Sequence, residues 1–170
     1  RQDFAERGAV DRTRRGAAEE IVLKPFVHAA ASADDWRDAI RACGDRLKAD
    51  GTAGNLGLIY VTEPFGAHLG DMVTTLRERL GVAQWAGCAG MGVVGGEGEI
   101  HNGGAVSVLV GDVGTDNLES IPTLLDAERA AAVAAGPWAR KNGPVLGIYH
   151  ADPRKGTTEA ILKSLVDSAP

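Results

Sequence analysis

The stretch LGLIYVTEPFGAHLGDMVTTLRERLG, residues 56–81, decides the fold class. Its first seven residues are an almost unbroken apolar run, which is typical of a strand covered on both faces. Pro64 ends that run. An apolar stripe at helical spacing follows, formed by Leu69, Met72, Val73, Leu76 and Leu80. Gly81 stands where a helix-ending glycine belongs. The stretch therefore predicts a strand followed by a helix.

The same order occurs earlier in the chain. Phe26–Ala31 predicts a strand, and Ser32 with Asp35 three residues later resembles a capping box. Apolar residues then recur at helical spacing up to Gly51, at Trp36, Ile40, Cys43 and Leu47. A first strand and a first helix are therefore expected here.

The C-terminal third predicts a helix, a strand and a helix. Ser120 is the expected N-cap of an alanine-rich helix over Leu124–Ala135. Val145–Tyr149 has the apolar composition of a buried strand, and Thr157 or Thr158 is expected to begin the last helix.

The glycine-rich middle of the chain breaks this alternation. Gln84–Val94 is apolar and predicts a third strand, and Asn102–Gly103 is a hairpin turn signal. We expect that strand to run into a hairpin whose returning strand is Ala105–Val110. The predicted fold is α/β, with a mixed, partly parallel sheet covered by helices and a glycine-rich hairpin after the third strand.

Composition excludes several classes of protein. The 170 residues suit one folded domain, with residues 1–20 as a polar N-terminal arm, native or foreign, and residues 21–170 as the domain. The formal net charge of -5 argues against binding nucleic acid or anionic lipid. No signal sequence and no apolar run of membrane-spanning length is present. The two cysteines are expected to be free thiols, so we predict a cytoplasmic chain.

The segment Gly90-Met-Gly92-Val-Val-Gly95 matches the pattern GxGxxG. Dinucleotide binding needs that pattern to open a helix, whereas a hairpin is predicted here. No cofactor is therefore expected. The glycines either permit tight turns and close backbone approach or form a backbone surface against which a ligand packs.

Cys88 lies in the segment Ala86-Gly-Cys-Ala-Gly90, which loosely resembles a nucleophile elbow. An elbow turns from a strand into a helix, and no helix is predicted after this strand. A buried or pocket-lining thiol is the favoured interpretation. Cys43, on the apolar stripe of the first helix, is expected in the core.

Four polar residues follow the ends of predicted strands: Thr62 and Glu63 after one strand, and His150 and Asp152 after another. Ligands of open α/β sheets bind at such strand ends, although Glu63-Pro64 and Asp152-Pro153 also suit ordinary turns. A metal site at His150 and Asp152 lacks an evident third ligand. His28, within an apolar strand, is expected to be a core histidine.

The order of these segments resembles the N-terminal part of the FIST domain. The resemblance rests on Gly87-Cys88-Ala-Gly-Met-Gly-Val-Val, the glycine-rich turn after it and Gly103-Gly-Ala-Val-Ser-Val-Leu. It covers about Phe26 to Val113 well and is looser over Val145 to Pro170. It implies a sensory module of signalling proteins that binds small molecules such as amino acids, with a C-terminal FIST half or a signalling partner. It implies no catalytic residues.

The favoured hypothesis is therefore reversible binding of a small polar metabolite. We expect eight residues to contact it: Thr62, Glu63, Cys88, Gly90, Gly92, Gly95, His150 and Asp152. One alternative is an enzyme with Cys88 as nucleophile and a histidine as base. The other is a protein-interaction module with a large exposed apolar patch.

Overall fold

A computed structural model describes residues 26–95, 98–144, 146–152 and 154–170. The predicted N-terminal arm lies outside them. The described strands are β1 (Val27–Ser32), β2 (Leu56–Thr62), β3 (Gln84–Gly90), β4 (Val93–Gly95), β5 (Gly98–Ile100) and β6 (Ala105–Gly111). The described α-helices are α1 (Trp36–Ala49), α2 (Leu69–Leu80), α3 (Ala127–Ala134), α4 (Pro137–Asn142) and α5 (Thr158–Ser168).

The main sheet has four strands in the order β1-β6-β2-β3. β2 and β3 are parallel, whereas β6 is antiparallel to both of its neighbours, β1 and β2. The prediction of a mixed, partly parallel α/β sheet is therefore confirmed.

Helices α1 and α2 pack against one face of this sheet and form the core with it. Each core strand contributes alternate apolar residues, because successive side chains of a strand point to opposite faces. The largest fully buried side chains are Ile40 and Leu47 of α1, Met72 and Leu76 of α2, Ile59 and Val61 of β2, and Val106, Val108 and Val110 of β6. The apolar stripes predicted for both helices are confirmed.

The ends of α1 and α2 show which local signals the chain uses. Asp35 is the N-cap of α1, and its Oδ1 accepts a hydrogen bond from the Arg37 backbone N–H at 2.8 Å. The predicted capping box beginning at Ser32 is wrong, because Ser32 still belongs to β1. Gly51 and Gly81 follow the two helices with positive φ, as predicted.

The glycine-rich hairpin exists, but its strands differ from the prediction. It consists of β4 and β5, with Val93 opposite Ile100. Ala105–Gly111 does not return along β3; it forms β6, inserted between β1 and β2. Asn102–Gly103 thus lies in the connection that leads the chain from the hairpin back into the main sheet.

The C-terminal third differs from the prediction in two places. The alanine-rich helix begins after Asp126, whose Oδ1 accepts from the Arg129 backbone N–H at 2.7 Å, so Ser120 is not its cap. Residues 146–149 form no strand, and Leu146 and Ile148 are 77% and 51% exposed, because no described strand pairs with them. Val145 lies outside the described residues. The last helix, α5, starts at Thr158 as predicted and packs against α3.

Among the helices described, none combines the length and the apolar character that crossing a membrane would need.

Candidate functional site

A row of polar side chains crosses the face of the sheet opposite α1 and α2. Tyr60 of β2 is aligned with Ser107 of β6 on one side and with Cys88 of β3 on the other. Aligned residues of neighbouring strands share one face of a sheet. His28 of β1 reaches the same row, since its Nε2 lies 3.0 Å from Oγ of Ser107. All four strands therefore contribute one side chain to this row.

The hairpin of β4 and β5 covers part of this face and leaves a groove beneath it. The groove, called the sheet groove below, has a volume of about 470 Å³. It is lined by His28, Tyr60, Ser107, Leu109 and residues 92–95. Val93 is buried, whereas Val94 is 67% exposed at the rim. The lining is mainly apolar, with its polar groups confined to the row on the sheet.

Two of the predicted glycines bring the hairpin close to its neighbours. A β-carbon at Gly95 would lie 2.8 Å from the β-carbon of Ala30 in β1. A β-carbon at Gly92 would lie 2.5 Å from Nδ1 of His101. Such distances are too short for side-chain carbons. Gly95 therefore allows the close approach to β1 that the sequence suggested, whereas the atom nearest to Gly92 belongs to the exposed His101 side chain. Both glycines line the sheet groove.

Tyr60 connects the groove to the C-terminal segment. Its hydroxyl lies 3.1 Å from Nε2 of His150, and the two rings meet edge to face. Partial burial, and secondarily the neighbouring Cys88, raise the pKa of Tyr60. The phenol is therefore neutral at physiological pH and keeps a proton to donate. His150 and Cys88, both predicted site residues, thus flank Tyr60.

Thr62 and Gly90, aligned at the ends of β2 and β3, lie beyond the groove lining. Thr62 is buried, with only 1% of its surface exposed. Its hydroxyl donates to the Gly103 carbonyl at 2.9 Å and accepts from the Ala105 backbone N–H at 2.8 Å. These bonds use the hydroxyl to attach the start of β6 to the end of β2.

Asp152 and, more weakly, Glu63 act on the charge of Arg154, but neither of the two acidic residues lines the sheet groove. Asp152 forms a bidentate ion pair with Arg154, whose Nε and Nη2 donate to the two carboxylate oxygens at 2.9 and 3.0 Å. Hydrogen bonds from Arg154 lower the pKa of Asp152 to about 2. Asp152, and more weakly Glu63, raise the pKa of Arg154.

The described residues contain no group of three or more histidine, cysteine or acidic side chains suited to a metal ion. Cys43 lies in the core, 1% exposed, and burial raises its pKa to about 12. Cys88 is half-buried at the polar row.

Sequence reasoning missed Tyr60, Ser107, Leu109 and Val93, and it placed His28 in the core. The structure instead places His28, half-buried, in the groove lining. A signal was present: His28, Tyr60 and Ser107 are each a lone polar side chain inside an apolar strand. These three polar side chains could be predicted to form one row only if the register of their strands were known.

The family model of the FIST N domain matches residues 55–170, which is more than half of the chain. The matched range includes β2 to β6 and all of the groove lining except His28. No curated protein and no solved structure was found that matches this chain.

Proposed function

This chain belongs to the FIST N domain family, and on that premise we propose that it binds a small metabolite, such as an amino acid, in the sheet groove. The FIST domain is a sensory domain of signalling proteins. The sheet groove is the observation that carries the proposal, because it joins a ligand-sized volume to convergent polar groups.

The groove suits a ligand of mixed character. Its volume of about 470 Å³ falls within the ordinary range for small-molecule sites, roughly 300–1,000 Å³. Leu109, Val93 and Val94 offer an apolar wall. Beside Leu109 on the sheet, the Ser107 hydroxyl and the His28 imidazole offer a donor and an acceptor. An amino acid with an apolar side chain has this distribution of groups.

The hairpin is the element that ligand binding would move. Its two strands of three residues each pair only with one another, and it lies over the sheet through β4. A ligand in the groove would contact both the sheet and residues 92–95, so it would favour the conformation in which they are close. A signal follows if that preference amounts to about 1–3 kcal/mol.

A thermal-shift screen against amino acids and small carboxylates tests this function. A ligand at about 100 times its Kd adds roughly 2.7 kcal/mol to the free energy of unfolding. We expect a hit to weaken with Ser107→Ala and Tyr60→Phe, and to persist with Tyr149→Phe, which removes a phenol outside the groove. A hit that all three variants retain, or a screen without any hit, contradicts the proposal.

A second candidate function is thiol chemistry at Cys88. The observation in its favour is that Cys88 is aligned with Tyr60, whose hydroxyl lies 3.1 Å from a histidine. A nucleophilic thiol near a proton-accepting pair is the arrangement such chemistry needs. Rapid alkylation of Cys88 at neutral pH, slowed by His150→Gln, would support it. Alkylation at the rate of a model thiol would exclude it.

A further inference from the structure

A second groove lies between α1 and α2, on the side of the molecule away from the sheet groove. It is called the helix groove below, and its volume is about 220 Å³. Ile40, 1% exposed, lies among its lining residues. The polar lining consists of Trp36, Arg37, Arg41, Thr75 and Arg79. Three of these five side chains carry a positive charge, so the helix groove differs in character from the sheet groove.

The three arginines reach the helix groove from both helices. Arg37 and Arg41 are four residues apart on α1 and therefore share a face of the helix. Arg79 reaches the same groove from α2. The Trp36 ring stacks on the His68 ring, with 5.4 Å between the ring centroids, and the guanidinium carbon of Arg37 lies 4.5 Å from the centre of the Trp36 ring. The indole is thus fixed in place at the edge of the groove.

Two residues that line the helix groove each carry a buried donor without a hydrogen-bond partner among the described residues: Nε1 of Trp36 and Nε of Arg79. The other two indoles are satisfied. Trp85 donates to the Val82 carbonyl at 2.8 Å, and Trp138 donates to the Asp116 carbonyl at 3.2 Å. A buried donor without a partner is costly. The two residues with an unsatisfied donor thus lie in the wall of one groove, where a bound acceptor would offset that cost.

Gly44 of α1 makes room for one of these donors. A β-carbon at Gly44 would lie 2.9 Å from Nε and 3.3 Å from Cδ of Arg79. The absent side chain therefore lets Arg79 lie against the backbone of α1. A glycine inside a helix favours the helix less than alanine does, so its presence here has a reason in the position of Arg79.

The nearby carboxylates leave guanidinium groups available. Arg37 and Arg41 pair with Asp35 and Asp38 at 3.6 and 2.8 Å, through one nitrogen each. Arg79 pairs with Asp45 through its Nη2. A guanidinium has five donors, and the carboxylates of these pairs are more than half exposed. Exposed ion pairs are weak, so they do not prevent the arginines from binding a further anion.

We propose that the helix groove binds a small free oxyanion of the phosphate class. Every side chain that carries the argument is a donor, and arginine forms its strongest hydrogen bonds to phosphate and carboxylate oxygens. A tetrahedral dianion has enough oxygens to accept from both helices at once. Inorganic phosphate and the phosphate group of a small monoester share this chemistry. The site is independent of the sheet groove and of the function proposed for it.

The indole N–H signals in a nitrogen–proton NMR spectrum test this directly. Inorganic phosphate is titrated against the protein at constant ionic strength, with chloride and acetate in parallel. The Trp36 signal is assigned by its loss in Trp36→Phe. We expect its chemical shift to change with phosphate concentration and to reach a plateau. The signals of Trp85 and Trp138 should stay in place, because their donors are already bonded. A parallel titration with glycerol phosphate shows whether a monoester enters as well as the free ion.

Four variants separate a site from general charge attraction. Trp36→Phe keeps an aromatic ring beside His68 and Arg37 but removes the indole N–H, so we expect about tenfold weaker phosphate binding by calorimetry. Arg41→Gln should lose at least as much. Gly44→Ala should displace Arg79 and weaken binding without lowering the thermal midpoint. Arg77→Gln removes the same charge from α2 outside the groove and should change binding less than twofold.

The proposal is overturned by any of three results. The first is a Trp36 signal that phosphate leaves in place. The second is an equal response to acetate or chloride. The third is an equal loss of binding in Arg77→Gln and Arg41→Gln, which would reveal attraction by net charge alone.

Discussion

The hydroxyl of Tyr60 lies 3.1 Å from Nε2 of His150, although 90 residues separate them in the chain. This contact joins the polar row on the sheet to the segment that precedes α5. Loss of the hydroxyl in Tyr60→Phe should lower the free energy of unfolding by about 1 kcal/mol, the ordinary net value of one hydrogen bond. Urea denaturation measures this, with Tyr149→Phe as the matched control. Equal stability of Tyr60→Phe and the parent chain would contradict the contact.

Gly95 controls how closely the hairpin lies on the sheet. In Gly95→Ala the new methyl group would meet the β-carbon of Ala30 at 2.8 Å. We expect a loss of about 1–3 kcal/mol from overpacking, together with weaker binding in the sheet groove. Gly147→Ala is the control, because a β-carbon there has no neighbour within 4 Å. The denaturant midpoints of both variants test this, and that of Gly95→Ala should be the lower. Similar midpoints would contradict the close approach of Gly95 to Ala30.

Thr62 is expected to stabilise the fold without taking part in binding. In Thr62→Val the Ala105 backbone N–H loses its acceptor in a site that is 1% exposed. An unsatisfied buried group costs about 1–3 kcal/mol. The variant should therefore be less stable, while a ligand found for the sheet groove should bind with unchanged Kd below the unfolding temperature. A large change in the Kd of the folded variant would show that Thr62 takes part in binding.

The two thiols should differ in reactivity. Burial raises the pKa of Cys43 to about 12, so this thiol stays protonated and enclosed at mildly alkaline pH, whereas Cys88 is half-buried. Iodoacetamide should label one thiol per native molecule and two after unfolding. Mass spectrometry counts the labels, and Cys88→Ser should remain unlabelled until it unfolds. Rapid labelling of native Cys88→Ser would show that Cys43 is accessible.

The Asp152 carboxyl should titrate unusually low. Arg154 lowers its pKa from 3.8 to about 2. Because the folded-state pKa is lowered, the pair favours the folded state above the ordinary pKa, and this contribution is lost as the pH falls through about 2. Carbon-13 NMR of the carboxyl group measures the midpoint. In Arg154→Gln it should move up toward the ordinary value, and an unmoved midpoint would refute the assigned cause.

Local signals in the sequence predicted most helices and strands. The stripe from Leu69 to Leu80 and the glycine after it suffice for α2, because helical hydrogen bonds join residues four apart. The apolar run at residues 56–62 likewise predicts β2. The error at Ser32 concerned only the start of α1, since Asp35, expected inside the first turn, is itself the N-cap.

The candidate site was predicted only in part. Gly92 and Gly95 line the sheet groove, and Cys88 and His150 flank Tyr60. Thr62, Glu63 and Asp152 were singled out because they follow strand ends or an expected strand. Yet the strand expected before His150 does not form, and the polar row runs across the middle of the sheet rather than along its end.

The sequence by itself determined the α/β class, the two helices α1 and α2 and the presence of a glycine-rich hairpin, since each depends on the order of neighbouring residues. Only the tertiary structure decided that β6 enters between β1 and β2, and that His28, Ser107, Tyr60 and Cys88 meet in one row. Strand order and register depend on hydrogen bonds between residues far apart in the chain. An apolar run such as residues 146–149 contains no information about which strand edge, if any, will pair with it.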